Sequence, residues 1–348
     1  MKQKARKLLP FLPLYLMMLP GIAYLIINNY IPMAGIVVAF KQYNVNDGMF
    51  GSPWVGLENF KFLFGTSDAF IILRNTLLYN IAFIVVNNVV GILLAIILSD
   101  VVWKRMRTVY QSSLLLPFLI SIVVVSYIVF ALLSQENGMM NNTILPLLGK
   151  EPVSWYSEPK YWPAILILTN LWKGVGYGTL IYVAAIAGID NSLFEAAALD
   201  GASKWQQITR ITLPFLVPAA VTLLILNVGK IFFSDFGLFY QVPQSSGALF
   251  PVTQTIDTYV YRALMSAGGI GRSAAASVFQ SIVGFVLVMT TNLMQSQRRK
   301  RHFLRRCVFH DFIQRPKGLP DCHQRHSGAG DPYHDLAAAA AVHVFHHR

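Results

Sequence analysis

Glu195-Ala196-Ala197-Ala198-Leu199-Asp200-Gly201-Ala202-Ser203-Lys204-Trp205, running on to Ile211-Thr212-Leu213-Pro214, is a polar, helix-forming island between two long apolar segments. Ser192, followed three residues later by Glu195, reads as a capping box in which each side chain satisfies a free backbone N–H at the start of a helix. Strong helix formers follow, and Gly201 offers the left-handed conformation that ends such a helix. Ser203 suits the cap of a second short helix, with Trp205, Ile208 and Ile211 on one stripe, and Pro214 suits the first turn of the longer helix after it. The expected product is a bent pair of short amphipathic helices lying across the end of a membrane bundle, with apolar and small residues presented to a partner's groove.

The chain around this island is membrane-like. Hydrophobic residues make up 55% of its 348 residues and charged residues 13%, about half the charge of a soluble domain. Crossing roughly 30 Å of hydrocarbon takes about 20 apolar residues. Such runs occur at 12–31, 81–98, 109–133, 162–187, 215–238 and 274–294, which predicts an all-α integral membrane protein with six spans. The first run is long, contains Pro20 and lacks a small-residue cleavage site, so it reads as an uncleaved helix rather than a signal peptide.

Orientation follows from Lys and Arg placement. Lys2, Lys4, Arg6 and Lys7 precede the first run, Lys104, Arg105 and Arg107 follow the second, and Arg298, Arg299, Lys300 and Arg301 follow the sixth. Threading six spans puts all three clusters, and the loop at 190–214, on the cytoplasmic side. Both termini are then cytoplasmic. The net charge of +12 is accordingly a topology signal and an attraction to the lipid bilayer surface, and no nucleic-acid partner is expected. No internal repeat stands out.

The spacing Glu195-Ala196-Ala197, three residues, Gly201, nine residues, Ile211, Leu213-Pro214 resembles the EAA loop of the permease subunits of binding-protein-dependent ABC importers, with no departure from the pattern. In that family the loop is the coupling helix, seated in a cleft of a separate ATPase. The resemblance implies a type I importer permease fold and ATPase-coupling roles for Glu195, Ala196, Ala197, Asp200, Gly201, Ala202, Ile211, Leu213 and Pro214. For Glu195, capping and contact with the ATPase are compatible roles. Implied partners are an ATP-binding subunit dimer, a second permease subunit and an extracellular solute-binding protein. ATP and Mg would be bound by the ATPase and no cofactor by this chain, which has no Gly-x-x-x-x-Gly-Lys-Ser/Thr to cradle phosphates.

Further segments resemble the carbohydrate-importing branch: Trp54-Val55-Gly56-Leu57-Glu58-Asn59-Phe60, Asn170-Leu171-Trp172-Lys173 with Gly176, and, similar to complex-polysaccharide permeases, Tyr240-Gln241-Val242-Pro243 and residues 256–262. The resemblance covers roughly residues 10–295 and implies a sugar or oligosaccharide cargo. It also implies docking of the binding protein at Asp257, Tyr259 and Arg262; an internal Asp257–Arg262 contact is the structural alternative.

Polar residues inside apolar spans are costly and tend to mark pathways or helix contacts. Asn80, Asn87 and Asn88 are expected mainly to join helices. Pro117 predicts a kink in the third span. Gly174-x-Gly176-x-Gly178 lacks the strand of a phosphate-binding loop and reads as close helix packing or local unwinding. Lys173 is open to a structural pairing or a pore-lining role. Lys230 and Asp235 are five apart, a poor fit to one helix face unless the helix loosens at Gly229. Asn170, Lys173, Tyr177, Asn227, Lys230, Ser234 and Asp235 form the candidate pathway set. In the second outer loop Trp155 and Tyr156 suit either a membrane interface or sugar stacking.

All eight histidines lie beyond residue 301, and so do both cysteines, Cys307 and Cys322. Cys307, His310, Cys322, His323 and His326 lack the tight two-knuckle pattern of structural zinc, so no metal site is expected. The division is a basic N-terminus at 1–11, a six-helix permease domain at 12–295, and a basic tail at 296–348 expected to be disordered or read from a shifted frame. The combined reading is a non-enzymatic transport subunit of the cytoplasmic membrane. Its rivals are a self-sufficient ion-coupled carrier using Lys173, Lys230 and Asp235, and an integral-membrane enzyme, for which the membrane domain offers no histidine, no cysteine and few acids.

Overall fold

Each apolar run becomes a helix, and two of them break where hydrocarbon would leave backbone groups unpaired. A computed structural model describes residues 12–61, 65–266 and 269–313. Helix α1, Leu12–Leu25, continues through a wide turn at Ile26–Tyr30 and a tight one at Ala34–Phe40. Helix α2, Ser67–Ser99, is capped by Thr66, whose side chain accepts the Ala69 N–H. Next come α3, Lys104–Leu119, and α4, Ile122–Leu133, which meet at 94°. The chain continues through α5, Trp162–Ala187, α6, Asn191–Leu199, and α7, Lys204–Gln207. A wide turn at Ile208–Thr212 carries α7 into α8, Leu213–Val228. The rest is α9, Phe236–Gln241, α10, Ile256–Met265, and α11, Ile270–Ile313. Among the described residues the β pairing amounts to a bridge between Lys41 and Trp54.

Among the described residues five helices are long and apolar enough to cross a membrane, and a sixth span results if the bent α3–α4 pair counts as one. The six expected runs therefore have six counterparts. The fifth departs from its expected bounds of 215–238: the membrane helix begins at Lys204 and ends at Val228. Pro214 sits in the first turn of α8 as expected, but the helix is unbroken before it. The preceding turn widens instead, a common accommodation where a proline removes a donor. At the other end the helix stops at Gly229, and residues 230–235 are non-helical.

Side chains facing outward from these spans are apolar and exposed, among them Met17, Leu116, Leu168 and Leu226, as befits surfaces solvated by lipid tails. Lipid gives helices no hydrophobic reason to associate, so close approach and polar joints hold them. Gly176 of α5 lies directly on α3, where a β-carbon would overlap the Leu114 carbonyl oxygen. Asn87 of α2 donates to Asn170 of α5 at 2.8 Å. The Tyr182 hydroxyl of α5 donates to Asn88 at 2.5 Å. These are the helix-joining roles expected of the asparagines. Ala95, Leu98, Tyr182, Val183 and Leu216 bury a small core between α2, α5 and α8.

A larger core gathers Tyr79, Phe83, Val125, Trp155, Trp162, Leu238 and Phe239. The second outer loop is tied into it by Asn141, whose Oδ1 accepts the Trp155 indole N–H at 2.9 Å while its amide donates to the Val153 carbonyl at 2.9 Å. Trp155 is buried, so its indole is core rather than a sugar platform.

By internal contacts the chain divides into Met1–Met289 and Thr290–Arg348. In the second unit the described part is helical as far as Ile313. The boundary expected at 295 falls within α11. Cys307 and His310 lie on that helix, whereas Cys322, His323, His326 and the rest of the tail from 314, like residues 1–11, lie outside the described residues.

Candidate coupling site and membrane pathway

Helix α5 leads almost directly into the Glu195 segment. Gly188 and buried Ile189 turn the chain, and Asp190 caps α6 by accepting the Ser192 N–H at 2.9 Å. This corrects the expected Ser192–Glu195 capping box. The cap falls two residues earlier because Ile189 anchors the chain and Asp190, an equally good capping residue, is the first side chain after it. Glu195 is thereby left within the helix, exposed. The bond from Ser192 to the charged carboxylate holds Asp190 below its ordinary range.

The other end forms as expected. Gly201 takes φ +76°, the Gly201 N–H reaches the Ala198 carbonyl at 3.1 Å, and the Ala202 N–H reaches Ala197 at 2.9 Å. This left-handed cap satisfies carbonyls that would otherwise be free. Ser203 then caps α7 in a reciprocal box: its N–H donates to Gln206 Oε1 at 2.8 Å, and its hydroxyl accepts the Gln206 N–H at 3.3 Å. The result is an elbow of two short helices. Phe194, Ala197 and Ala202 turn partly inward, and Gln207 and Thr212 are buried. Outward are Glu195, Ala196 and Asp200 with two large apolar side chains, Leu199 at 91% exposure and Trp205 at 71%. Ile211 is half-buried, and Leu213 and Pro214 lie exposed where α8 begins. Lys204 Nζ lies 3.5 Å from Asp100 at the end of α2, so the elbow and the basic turn at Lys104 share one end of the bundle.

The candidate pathway residues divide into two groups. On α5, Asn170 accepts from Asn87. Lys173 is half-buried, and its ammonium donates to the carbonyls of Phe118 at 3.2 Å and Ile120 at 2.6 Å. Tyr177 stacks on Phe118, with centroids 5.3 Å apart and planes at 17°. Lys173 is therefore structurally paired, with backbone carbonyls rather than with a carboxylate.

The second group surrounds the break after α8. Asn227 and Lys230 are exposed there. Asp235 caps α9 by accepting the Leu238 N–H at 3.1 Å. Lys230 and Asp235 do not pair; the ion pairs among the described residues are Lys61–Glu58 and Lys204–Asp100. Ser234 turns to Asp257, the carboxylate expected to face a docking protein. Asp257 accepts from the Ser234 N–H at 2.6 Å, the Ser234 hydroxyl at 2.7 Å and Gln280 Nε2 at 3.2 Å. Gln280 also donates to the Phe232 carbonyl at 2.6 Å, and Asn80 to that of Ile231 at 2.9 Å. Three elements thus satisfy one unwound stretch, as non-helical backbone shielded from water requires.

The alternative Asp257–Arg262 contact does not form. Arg262 lies over the Phe250 ring at 4.1 Å and donates to Thr258 Oγ1 at 3.3 Å, and burial lowers its pKa. Tyr259 is half-buried, which raises its hydroxyl pKa. Sequence reading did not single out Gln280, although a lone amide in an apolar run was the available signal. Thr255, whose hydroxyl lies 2.7 Å from that of Ser234, carried no comparable signal.

Residues 87–301 match the family described as binding-protein-dependent transport system inner membrane component. The polygalacturonan/rhamnogalacturonan transport system permease protein YteP of Bacillus subtilis is 36% identical, over 80% of this chain and 86% of that protein. Protein LplB of the same organism is 32% identical, over 80% and 87%. Among solved structures, a bacterial ABC transporter involved in import of the acidic polysaccharide alginate superposes with a TM-score of 0.76 at 33% identity, over 85% of this chain and 99% of that one. The same kind of importer has been solved with an alginate pentasaccharide-bound periplasmic protein, TM-score 0.75.

Proposed function

The chain belongs to the binding-protein-dependent transport system inner membrane components, and from that premise we propose that it is the membrane-spanning subunit through which an ATP-driven importer moves an oligosaccharide across the cell membrane. The observation that carries the reading is the continuity of the elbow with the membrane. Helices α6 and α7 expose Leu199, Trp205, Glu195 and Ala196, and within a few residues they join α5 on one side and α8 on the other. A partner gripping the elbow moves two spans at once. That partner is the ATPase, and a dimer of it would engage this chain and a second permease subunit.

The carbohydrate cargo is supported by YteP, a polygalacturonan/rhamnogalacturonan permease, and by the importer of the acidic polysaccharide alginate. Delivery by an extracellular binding protein is supported by the solved complex with a periplasmic protein. The ion-coupled rival is not favoured by these relatives, and the Lys173 ammonium it would use donates to two backbone carbonyls. Placing the elbow and both termini in the cytoplasm rests on the Lys and Arg clusters.

Leu199→Cys, in a chain with Cys307 and Cys322 replaced by Ser, provides the test. A membrane-impermeant maleimide should reach it from the cytoplasmic side, and bound ATPase should protect it. Labelling from outside intact cells would overturn the assignment.

A further inference from the structure

The bend between α3 and α4 leaves carbonyls of the last α3 turn without helical donors. One is satisfied locally, the Pro117 carbonyl, which accepts the Ile120 N–H at 3.3 Å; on the other side of the bend the Ser121 hydroxyl caps α4 by accepting the Val123 N–H at 3.3 Å. Phe118 and Ile120 are served by Lys173 from across the bundle. An ammonium at a helix C-terminus also faces the negative end of the helix dipole.

Three α5 residues at positions i, i+3 and i+4, which share one helix face, engage this segment. Lys173 holds its carbonyls, Gly176 lies on Leu114, and Tyr177 stacks on Phe118. Ten residues after Tyr177, α5 ends at Ala187 and the elbow begins. Beyond the bend, Ile122 packs on Gly237 of α9, its Cγ2 lying 2.7 Å from where a β-carbon would stand. The two helix breaks are therefore neighbours. One is gripped by the helix that enters the elbow, and the other ends the helix that leaves it.

We propose that Lys173 is a positioning residue for transport: its ammonium sets the α3–α4 bend, so that a displacement of α5 by the elbow is delivered to α4. The inference rests on the coupling role given above. It assigns the lysine no contact with cargo.

The test uses the complete assembly, with spin labels on cysteines at Val109 and Tyr127, which flank the bend and are exposed, in the chain lacking Cys307 and Cys322. With Lys173 the label separation should be one narrow distribution. Lys173→Met should broaden it and shift it to longer distances, and Lys173→Arg should restore it. ATP-driven uptake should fall about tenfold in Lys173→Met, the scale of one hydrogen bond from a charged group, with ATP hydrolysis largely retained. If Lys173→Met does not accumulate, Lys173→Gln, with one shorter amide arm, should give an intermediate distribution. A wild-type distribution in Met or Gln, or an altered bend with unchanged uptake, overturns the proposal. Failure of the coupling role is distinguishable, because uptake by the unaltered assembly would then proceed without ATP.

Discussion

One carboxylate oxygen of Asp257 accepts from Ser234 twice, from the backbone N–H at 2.6 Å and from the hydroxyl at 2.7 Å. Asp257 opens α10, and Ser234 belongs to the non-helical stretch between α8 and α9, so this pair fixes the exit from a broken membrane helix to the loop that follows it. The carboxylate is thereby committed to the fold.

Removing it strands the Ser234 N–H in a part-buried site and leaves Gln280 only the Phe232 carbonyl. Asp257→Ala should lower stability by about 2–3 kcal/mol, while Asp257→Asn, which keeps an acceptor, should cost less. Thermal unfolding of the purified chain in detergent reads both. Equal midpoints for Asp257→Ala and the unaltered chain would show that the cluster holds nothing.

Gly201 holds φ +76° on the exposed elbow. Gly201→Ala should cost about 1 kcal/mol of local stability, because a β-carbon is strained in that conformation. Gly201→Asp adds a charge beside the surface that we propose meets the ATPase. It should insert normally but lose ATP-driven uptake and co-purification with the ATPase. Normal uptake by that variant would count against the elbow as the coupling element.

Gly176 and Gly178 make a controlled comparison on one helix. A β-carbon at Gly176 would overlap the Leu114 carbonyl, whereas at Gly178 nothing lies within 4 Å. Gly176→Ala should destabilise the chain by about 1–3 kcal/mol, the usual range for overpacking, and Gly178→Ala should be neutral. Membrane accumulation and thermal midpoints separate them; equal behaviour would mean that α3 and α5 do not touch there.

Asp190 titrates with a sign that follows from its bond to Ser192. The folded carboxyl is held below its ordinary value, near 4 in an unfolded chain. The cap's stabilisation is therefore full above that pH and is lost as pH falls through the depressed folded value. Protection factors of the first α6 amides should drop on acidification below about pH 4, and Asp190→Asn, which caps without a charge, should abolish the step. An unchanged pH profile in Asp190→Asn would remove the carboxylate from the cap.

Much of this was legible from short stretches of sequence. Run length and apolarity located the spans, and Gly201 and Ser203 announced the elbow because helix ends are satisfied by residues close in the chain. Ser192 misled because two capping side chains lay within three residues, and the choice between them depended on where Ile189 was buried. The fifth span was overextended for a related reason. Residues 229–238 are apolar enough to continue it, and only Asn80, Gln280 and Asp257, arriving from elsewhere, make unwinding tolerable there.

By itself the sequence located the apolar spans, the elbow and its chemistry, all consequences of near-neighbour forces along the backbone. Tertiary structure alone decided which partners the costly polar groups meet. Lys173 reads equally well as a pathway charge or a structural one, and only the folded chain brings the carbonyls of Phe118 and Ile120 to it; Asp257 reads as a docking charge or as a partner of Arg262, and only the folded chain gives it Ser234 and Gln280. In hydrocarbon such groups take the partner that packing brings within reach, and packing relates residues tens to hundreds of positions apart that no local pattern connects.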